Sequence, residues 1–233
     1  MKNKALWVLV VVWGIACLCG SRGCREQERI ALLALNATLD LIYSVDTGGS
    51  YFNCCSCEGV ECNPTTGRVT KLILFDLRYD RFGSNTWYLN ASLLLPFEEL
   101  KSLDLSNNYL GGWIAPEEPN LLSSRLSQLE VLDLSGNFLD HSIISVLGTI
   151  PSLRHLFLQD NNLSGTLHVN ESNLLSSRLS KLEVLDLSSN LLDHSIISVL
   201  GSIPSLRHLF LQHNNLSGTL HVNGKFLRLI LLS

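Results

Sequence analysis

From residue 100 to residue 216 the leucines recur in one frame, L-x-x-L-x-L-x-x-N-x-L. Copies begin at Leu100, Leu129, Leu153, Leu182 and Leu206, spaced by 29, 24, 29 and 24 residues. Inside each copy, apolar and polar positions alternate, which predicts a short strand with its leucines on one face. One such strand cannot bury its leucines alone. Laid side by side, the copies predict a parallel sheet whose leucines stack into continuous columns. The asparagines Asn108, Asn137, Asn161, Asn190 and Asn214 fall where the chain leaves each strand and turns. A carboxamide carries two donors and an acceptor, so it can pair backbone groups that the sheet leaves over. Five in register predict a buried asparagine ladder.

A second period overlies the first. Residues 120–170 and 173–223 align without a gap and differ only at Gln128/Lys181, Gly136/Ser189, Phe138/Leu191, Thr149/Ser202 and Asp160/His213. Recurrence inside this copied block is therefore weak evidence of function. Between strands, residues 141–152 place Ile144, Leu147 and Ile150 at helical spacing, closed by Gly148 and Pro151. They predict a short helix on the convex side, repeated at 194–205. The serine-rich segments 120–127 and 173–180 predict bulges. Val69, Leu72 and Leu74 repeat the frame in degenerate form, so the sheet is expected to begin there. In the apolar end, residues 224–233, Phe226, Leu229 and Leu231 fit it again and predict an edge strand open to pairing with another chain. The frame is the leucine-rich-repeat signature. The resemblance implies an α/β solenoid, a right-handed superhelix with a parallel β-sheet on its concave face.

The N-terminus follows another pattern. Lys2 and Lys4 precede an apolar run, Ala5 to Cys19, and the chain then turns polar. This predicts a secretory signal peptide over residues 1–23, with a membrane anchor as the competing reading. The stretch EQERIALLAL predicts an amphipathic helix with Ile30, Leu33, Ala34 and Ala37 on one face, and residues 46–50 predict a turn. Secretion changes how the cysteines are read. Cys24, Cys54, Cys55, Cys57 and Cys62 all precede the clear repeats. An oxidising compartment implies disulfides, with one thiol left over. A zinc site at Cys55, Cys57 and Cys62 is the rival, opposed by the secretory route and by the lack of a nearby histidine. The net charge of −4, without a basic run, argues against nucleic acid as a partner.

The motifs C-x-x-x-E-R-x-A-L-L (Cys24, Glu28, Arg29, Ala31 to Leu33), C-C-x-x-x-G-V-x-C (Cys54, Cys55, Gly59, Val60, Cys62) and T-G-R-V (Thr66 to Val69) resemble the N-terminal cap of plant extracellular leucine-rich-repeat proteins. Residues 93–108, LLLPFEELKSLDLSNN, are similar to the plant receptor-like proteins in particular. The resemblance implies a disulfide-stapled cap over 24–68, pairing Cys24 with Cys54 and Cys55 with Cys62, then leucine-rich repeats over 69–223. Cys57 stands where the family carries tryptophan and is the odd thiol. Full-length relatives are anchored in the plasma membrane. This chain is expected to be a severed ectodomain, since its end, FLRLILLS, is too short to span a bilayer.

On the concave face the residues between the leucines form rows. The first is Ser102, Val131, His155, Val184 and His208; the second is Asp104, Asp133, Phe157, Asp186 and Phe210; the third is Ser106, Ser135, Gln159, Ser188 and Gln212. His155, Phe157, Gln159, His208, Phe210 and Gln212 are the candidate ligand-binding residues, because exposed aromatics beside polar groups anchor partners. The aspartates invite an acid–base reading, but the resemblance implies that L-D-L-S is a structural strand sequence. A nucleophilic triad also needs a serine held on a turn with oxyanion donors, which a flat sheet does not supply. No catalytic residue, metal site or cofactor is assigned. N-x-S/T triplets mark Asn36, Asn90, Asn162, Asn170 and Asn215 for glycosylation. The expected function is secreted or cell-surface recognition of a peptide, a microbial ligand or a partner receptor kinase, in defence or development. The alternatives are an inhibitor of secreted cell-wall-degrading enzymes and a non-functional truncated gene product.

Overall fold

A computed structural model of the chain describes residues 24–39, 53–77, 86–118, 120–164, 178–193, 200, 203–216 and 228–230. The signal segment, the turn at 46–50, Asn170, Leu231 and most of the second convex segment lie outside these residues.

Among the described residues, eight strands make one sheet. They are β1 (Val60–Cys62), β2 (Val69–Ile73), β4 (Ser102–Asp104), β6 (Val131–Asp133), β7 (His155–Phe157), β8 (Val184–Asp186), β9 (His208–Phe210) and β10 (Arg228–Ile230), side by side in that order. β1 runs antiparallel to β2, so a cap strand covers the start of the sheet, and every later pair is parallel. The sheet begins at the degenerate frame: Leu72 faces Leu103, and Leu132, Leu156, Leu185 and Leu209 continue the line. These leucines are buried, as are Leu74, Leu105, Leu134, Leu158, Leu187 and Leu211 beside them. Each contributes on the order of 1.5–3 kcal/mol by burial.

The five asparagines tie coil to coil. Asn161 shows the pattern: its Nδ2 donates to the carbonyls of Leu158 and Gln159 in its own turn and of Leu134 in the preceding coil, while its Oδ1 accepts from the Leu139 N–H. Asn137, Asn190 and Asn214 bond equivalently, and Asn108 reaches back to Leu74 and Leu77. Beneath them, the Ser152 hydroxyl donates to the carbonyls of Leu126 and Leu129, and Ser205 does the same one unit later. The residue before each ladder asparagine lies at positive φ: Asn107, Gly136, Asp160, Ser189 and His213.

In the cap, Cys24 pairs with Cys54 and Cys55 with Cys62, with Cα separations of 5.8 and 5.6 Å. Cys57 is free and half-buried, and burial pushes its thiol pKa up.

Four local features depart from the sequence expectations. The cap helix, Glu26–Leu39, buries Glu28, Ala31, Leu35 and Leu39, whereas Ile30 is exposed. An apolar count misses this face because its first member is a carboxylate. Glu28 is fully buried and accepts from Arg68 Nε at 2.8 Å. The serine-rich segment 120–127 does not bulge. It forms a short helix, Leu121–Arg125, whose Leu122 and the following Leu126 enter the core four residues apart. The convex helix, Ile143–Leu147, buries Ile143 and Leu147 rather than Ile144. Finally, β3 (Trp87–Asn90) and β5 (Leu110–Ile114) form a second, two-stranded parallel sheet. The ring of Tyr88 lies against Gly112, where an added Cβ would come within 3.0 Å of it.

Candidate functional site

The predicted concave rows are real registers of the sheet. Ser102, Val131, His155, Val184 and His208 are consecutive strand partners, and so are Asp104, Asp133, Phe157, Asp186 and Phe210. Neighbouring strands lie about 4.8 Å apart, which places Phe157 and Phe210 about 10 Å apart across Asp186.

Two kinds of strand occur at the carboxyl end of this face. In the first, an aspartate clasps the serine two residues on. Asp133 Oδ1 accepts from the Ser135 amide at 3.0 Å and from its hydroxyl at 2.6 Å. Asp104 holds Ser106 and Asp186 holds Ser188 in the same way. These carboxylates stiffen the strand exit. They are already engaged by donors. In the second kind, phenylalanine replaces aspartate and glutamine replaces serine together: Phe157 with Gln159, and Phe210 with Gln212. No clasp forms there. All six candidate residues are half-buried, and the Oε1 atoms of Gln159 and Gln212 are buried without a hydrogen-bond partner among the described residues.

The flanking position carries alternating charge, Lys101, Glu130, Arg154, Glu183 and Arg207. Arg154 sits between two acids, 2.5 Å from Glu183 and 3.9 Å from Glu130. Ile73 and Phe75, 39% and 49% exposed, begin the second and third rows at the cap end. Extending the degenerate frame at Leu72 and Leu74 to the residues after each leucine would have found them. Among the described residues no group of His, Cys, Asp and Glu is arranged to hold a metal ion. No described helix is long and apolar enough to cross a membrane.

Of the predicted glycosylation positions, Asn90, Asn162 and Asn215 are exposed. Asn90 also caps a 3-10 turn, its Oδ1 accepting from the Ser92 amide. Asn36 lies within the cap helix with its Oδ1 buried and unpartnered among the described residues.

Coils of one strand each, leucine columns and an asparagine ladder define a leucine-rich-repeat protein. The Leucine Rich Repeat family model matches residues 99–121, 128–150, 181–203 and 205–225, and the chain belongs to that family. Its curated relatives are plant receptor-like proteins. Receptor-like protein 9a of Arabidopsis thaliana is 36% identical over 210 residues, which are 90% of this chain and 20% of the relative. The chain thus spans about one fifth of the length of that relative. Among solved structures, the ectodomain of the Arabidopsis receptor kinase SOBIR1 is 27% identical, with a TM-score of 0.53 over 84% of this chain and 98% of that one. The Arabidopsis receptor kinase HAESA, solved with the peptide hormone IDA and the co-receptor SERK1, is 26% identical. Its TM-score is 0.61 over 83% of this chain and 30% of that one.

Proposed function

We propose that this chain is an extracellular recognition module that binds a peptide or partner protein on its concave sheet, signalling through a receptor kinase in defence or development. The observation that carries the reading is the pair of open Phe-x-Gln strands, β7 and β9, in register on either side of the clasped strand β8. Two half-buried rings about 10 Å apart match three residues of an extended peptide at about 3.3 Å each. The Gln159 and Gln212 Oε1 atoms are buried without a partner among the described residues, so turning either side chain outward to accept a peptide N–H satisfies a buried polar atom and adds specificity. The likeness to a receptor solved with a peptide hormone and a co-receptor supports this class of ligand.

The test is retention from plant extracellular fluid. Secreted, tagged chain and its Phe157→Ser/Phe210→Ser variant are exposed to the same fluid, and bound peptides are identified by mass spectrometry. A defined peptide set held by the wild type and lost by the variant is expected. Identical sets on both proteins would refute the concave site.

A further inference from the structure

The residue after each ladder asparagine forms a row of its own on the flank of the solenoid: Tyr109, Phe138, Asn162, Leu191 and Asn215. This row has its own backbone links. The Phe138 N–H donates to the Leu110 carbonyl at 2.9 Å, Asn162 to Leu139 at 3.0 Å and Leu191 to Leu163 at 2.9 Å. Ser164 and Leu191 form a parallel bridge beside them. Phe138 and Leu191 are 44% and 56% exposed, so they flank Asn162 with apolar surface. The Tyr109 and Phe138 rings meet at 5.8 Å between centroids, a tilted pair. Exposed Asn162 stands between Phe138 and Leu191 and heads the triplet Asn162-Leu163-Ser164.

We infer that Asn162 carries an N-linked oligosaccharide whose inner sugars lie across Phe138 and Leu191, so that this flank is a glycan-covered surface. The inference rests on the extracellular reading above. Transfer joins Asn162 Nδ2 to the anomeric carbon of the first sugar. The bond from that carbon to the pyrophosphate of a lipid-linked oligosaccharide donor breaks, the lipid pyrophosphate leaves, and Nδ2 gives up a proton. The first sugars of such a glycan are acetylated pyranoses with apolar C–H faces. Those faces suit an aromatic ring on one side and an aliphatic side chain on the other. Adjacent coils about 4.8 Å apart put both neighbours within reach of the first two sugars. The other described triplets differ. Asn90 ends β3 with exposed Tyr88 two residues before it and exposed Ile114 as its strand partner, but its Oδ1 is tied to the Ser92 amide, and the Asn36 amide is partly buried in the cap helix. Asn215 has Leu191 on one side and is expected to carry a glycan that covers it less completely.

The experiment compares four secreted full-length proteins: wild type, Ser164→Ala, which abolishes the triplet but keeps Asn162, Phe138→Ser, and the double variant. Glycan occupancy is mapped by mass spectrometry at Asn162 and at Asn90, and binding of a hydrophobic dye and thermal midpoints are measured. Wild type is expected to be occupied at Asn162. Ser164→Ala should bind at least about twice as much dye and melt about 2–4 °C lower. Loss of the glycan by Ser164→Ala in a Phe138→Ser background should change both readouts much less. Self-association of Ser164→Ala would count as the uncovered flank finding another occupant and would support the inference. Occupancy at Asn90 with none at Asn162 would overturn it while leaving secretion standing, and so would an occupied Asn162 whose removal leaves dye binding unchanged. Absence of glycan at every triplet would overturn both this inference and the extracellular reading.

Discussion

The cap with its first repeat and the copied block solve one problem in different ways. In the copied block, residues 120–223, stability is distributed. Among the described residues each coil contributes the same leucines and the same asparagine, and each copied unit the same serine hydroxyl bonds, so that these contacts have near-identical counterparts. In the cap region, each stabilising feature occurs once: two disulfides, a buried ion pair and a second sheet whose Tyr88 ring needs glycine beneath it. A solenoid coil can lean on copies of itself, but its first coil has nothing behind it. The end must therefore be closed by interactions that the repeat frame does not encode.

The largest effect that separates the two regions should come from Arg68. Its guanidinium donates to Glu28 at 2.8 Å, to the Pro96 carbonyl at 2.9 Å and to Glu98 at 3.2 Å. Arg68→Met leaves the fully buried Glu28 carboxylate without its cation, and breaking a buried pair from one side costs about 3–5 kcal/mol. Denaturant unfolding followed by cap-region and block-region hydrogen exchange should show the loss in the cap first. A loss spread evenly along the chain would mean that the cap is no separate unit.

This contrast also explains what could be read from the sequence. The sheet, its register and the ladder were legible because five copies average out local noise, and period-two leucines leave little choice of face. The second sheet was not legible. It occurs once, and Gly111 and Gly112 are poor strand formers whose role emerges only under the Tyr88 ring. The buried face of the cap helix was missed for a related reason: helical periodicity counts apolar residues, and here the Glu28 carboxylate leads the buried stripe. The concave rows could be written down from the frame. The clasp between Asp133 and Ser135, and its replacement by open Phe-x-Gln pairs, needed side-chain geometry, because covariation within a copied block is weak evidence.

An intermediate effect tests the distributed half. Asn161→Ala leaves the Leu139 N–H without its acceptor and takes one of two carboxamide donors from each of the Leu134 and Leu158 carbonyls, which keep Asn137 and Asn190, at about 1–3 kcal/mol. Asn190→Ala, its neighbour in the ladder, should cost a similar amount. Gln159→Ala on the concave face should cost less than about 0.5 kcal/mol. Thermal melts of the three variants check this, and equal shifts for Asn161 and Gln159 would remove the ladder from the account.

The smallest effect lies where the two regions meet. Glu98 pairs with Arg68 of the cap and with Arg125, on the short helix that opens the copied block. Hydrogen bonds from Arg68 and then Arg125 hold its carboxyl below the usual 4.5. A lowered carboxylate pKa stabilises the fold above the unfolded value. That stabilisation is lost as pH falls from about 4.5 through the lower folded value. The Glu98 side chain is 38% exposed, so solvent screening limits the contribution to roughly a few tenths of a kcal/mol. Glu98→Gln should therefore lower the urea midpoint slightly at pH 7, and the gap from wild type should close as the pH falls toward 3. Arg125→Gln should give a similar but smaller pattern, because Arg68 remains. A gap that does not change with pH would mean that Glu98 acts through packing alone, and the junction would then carry no electrostatic link between cap and block.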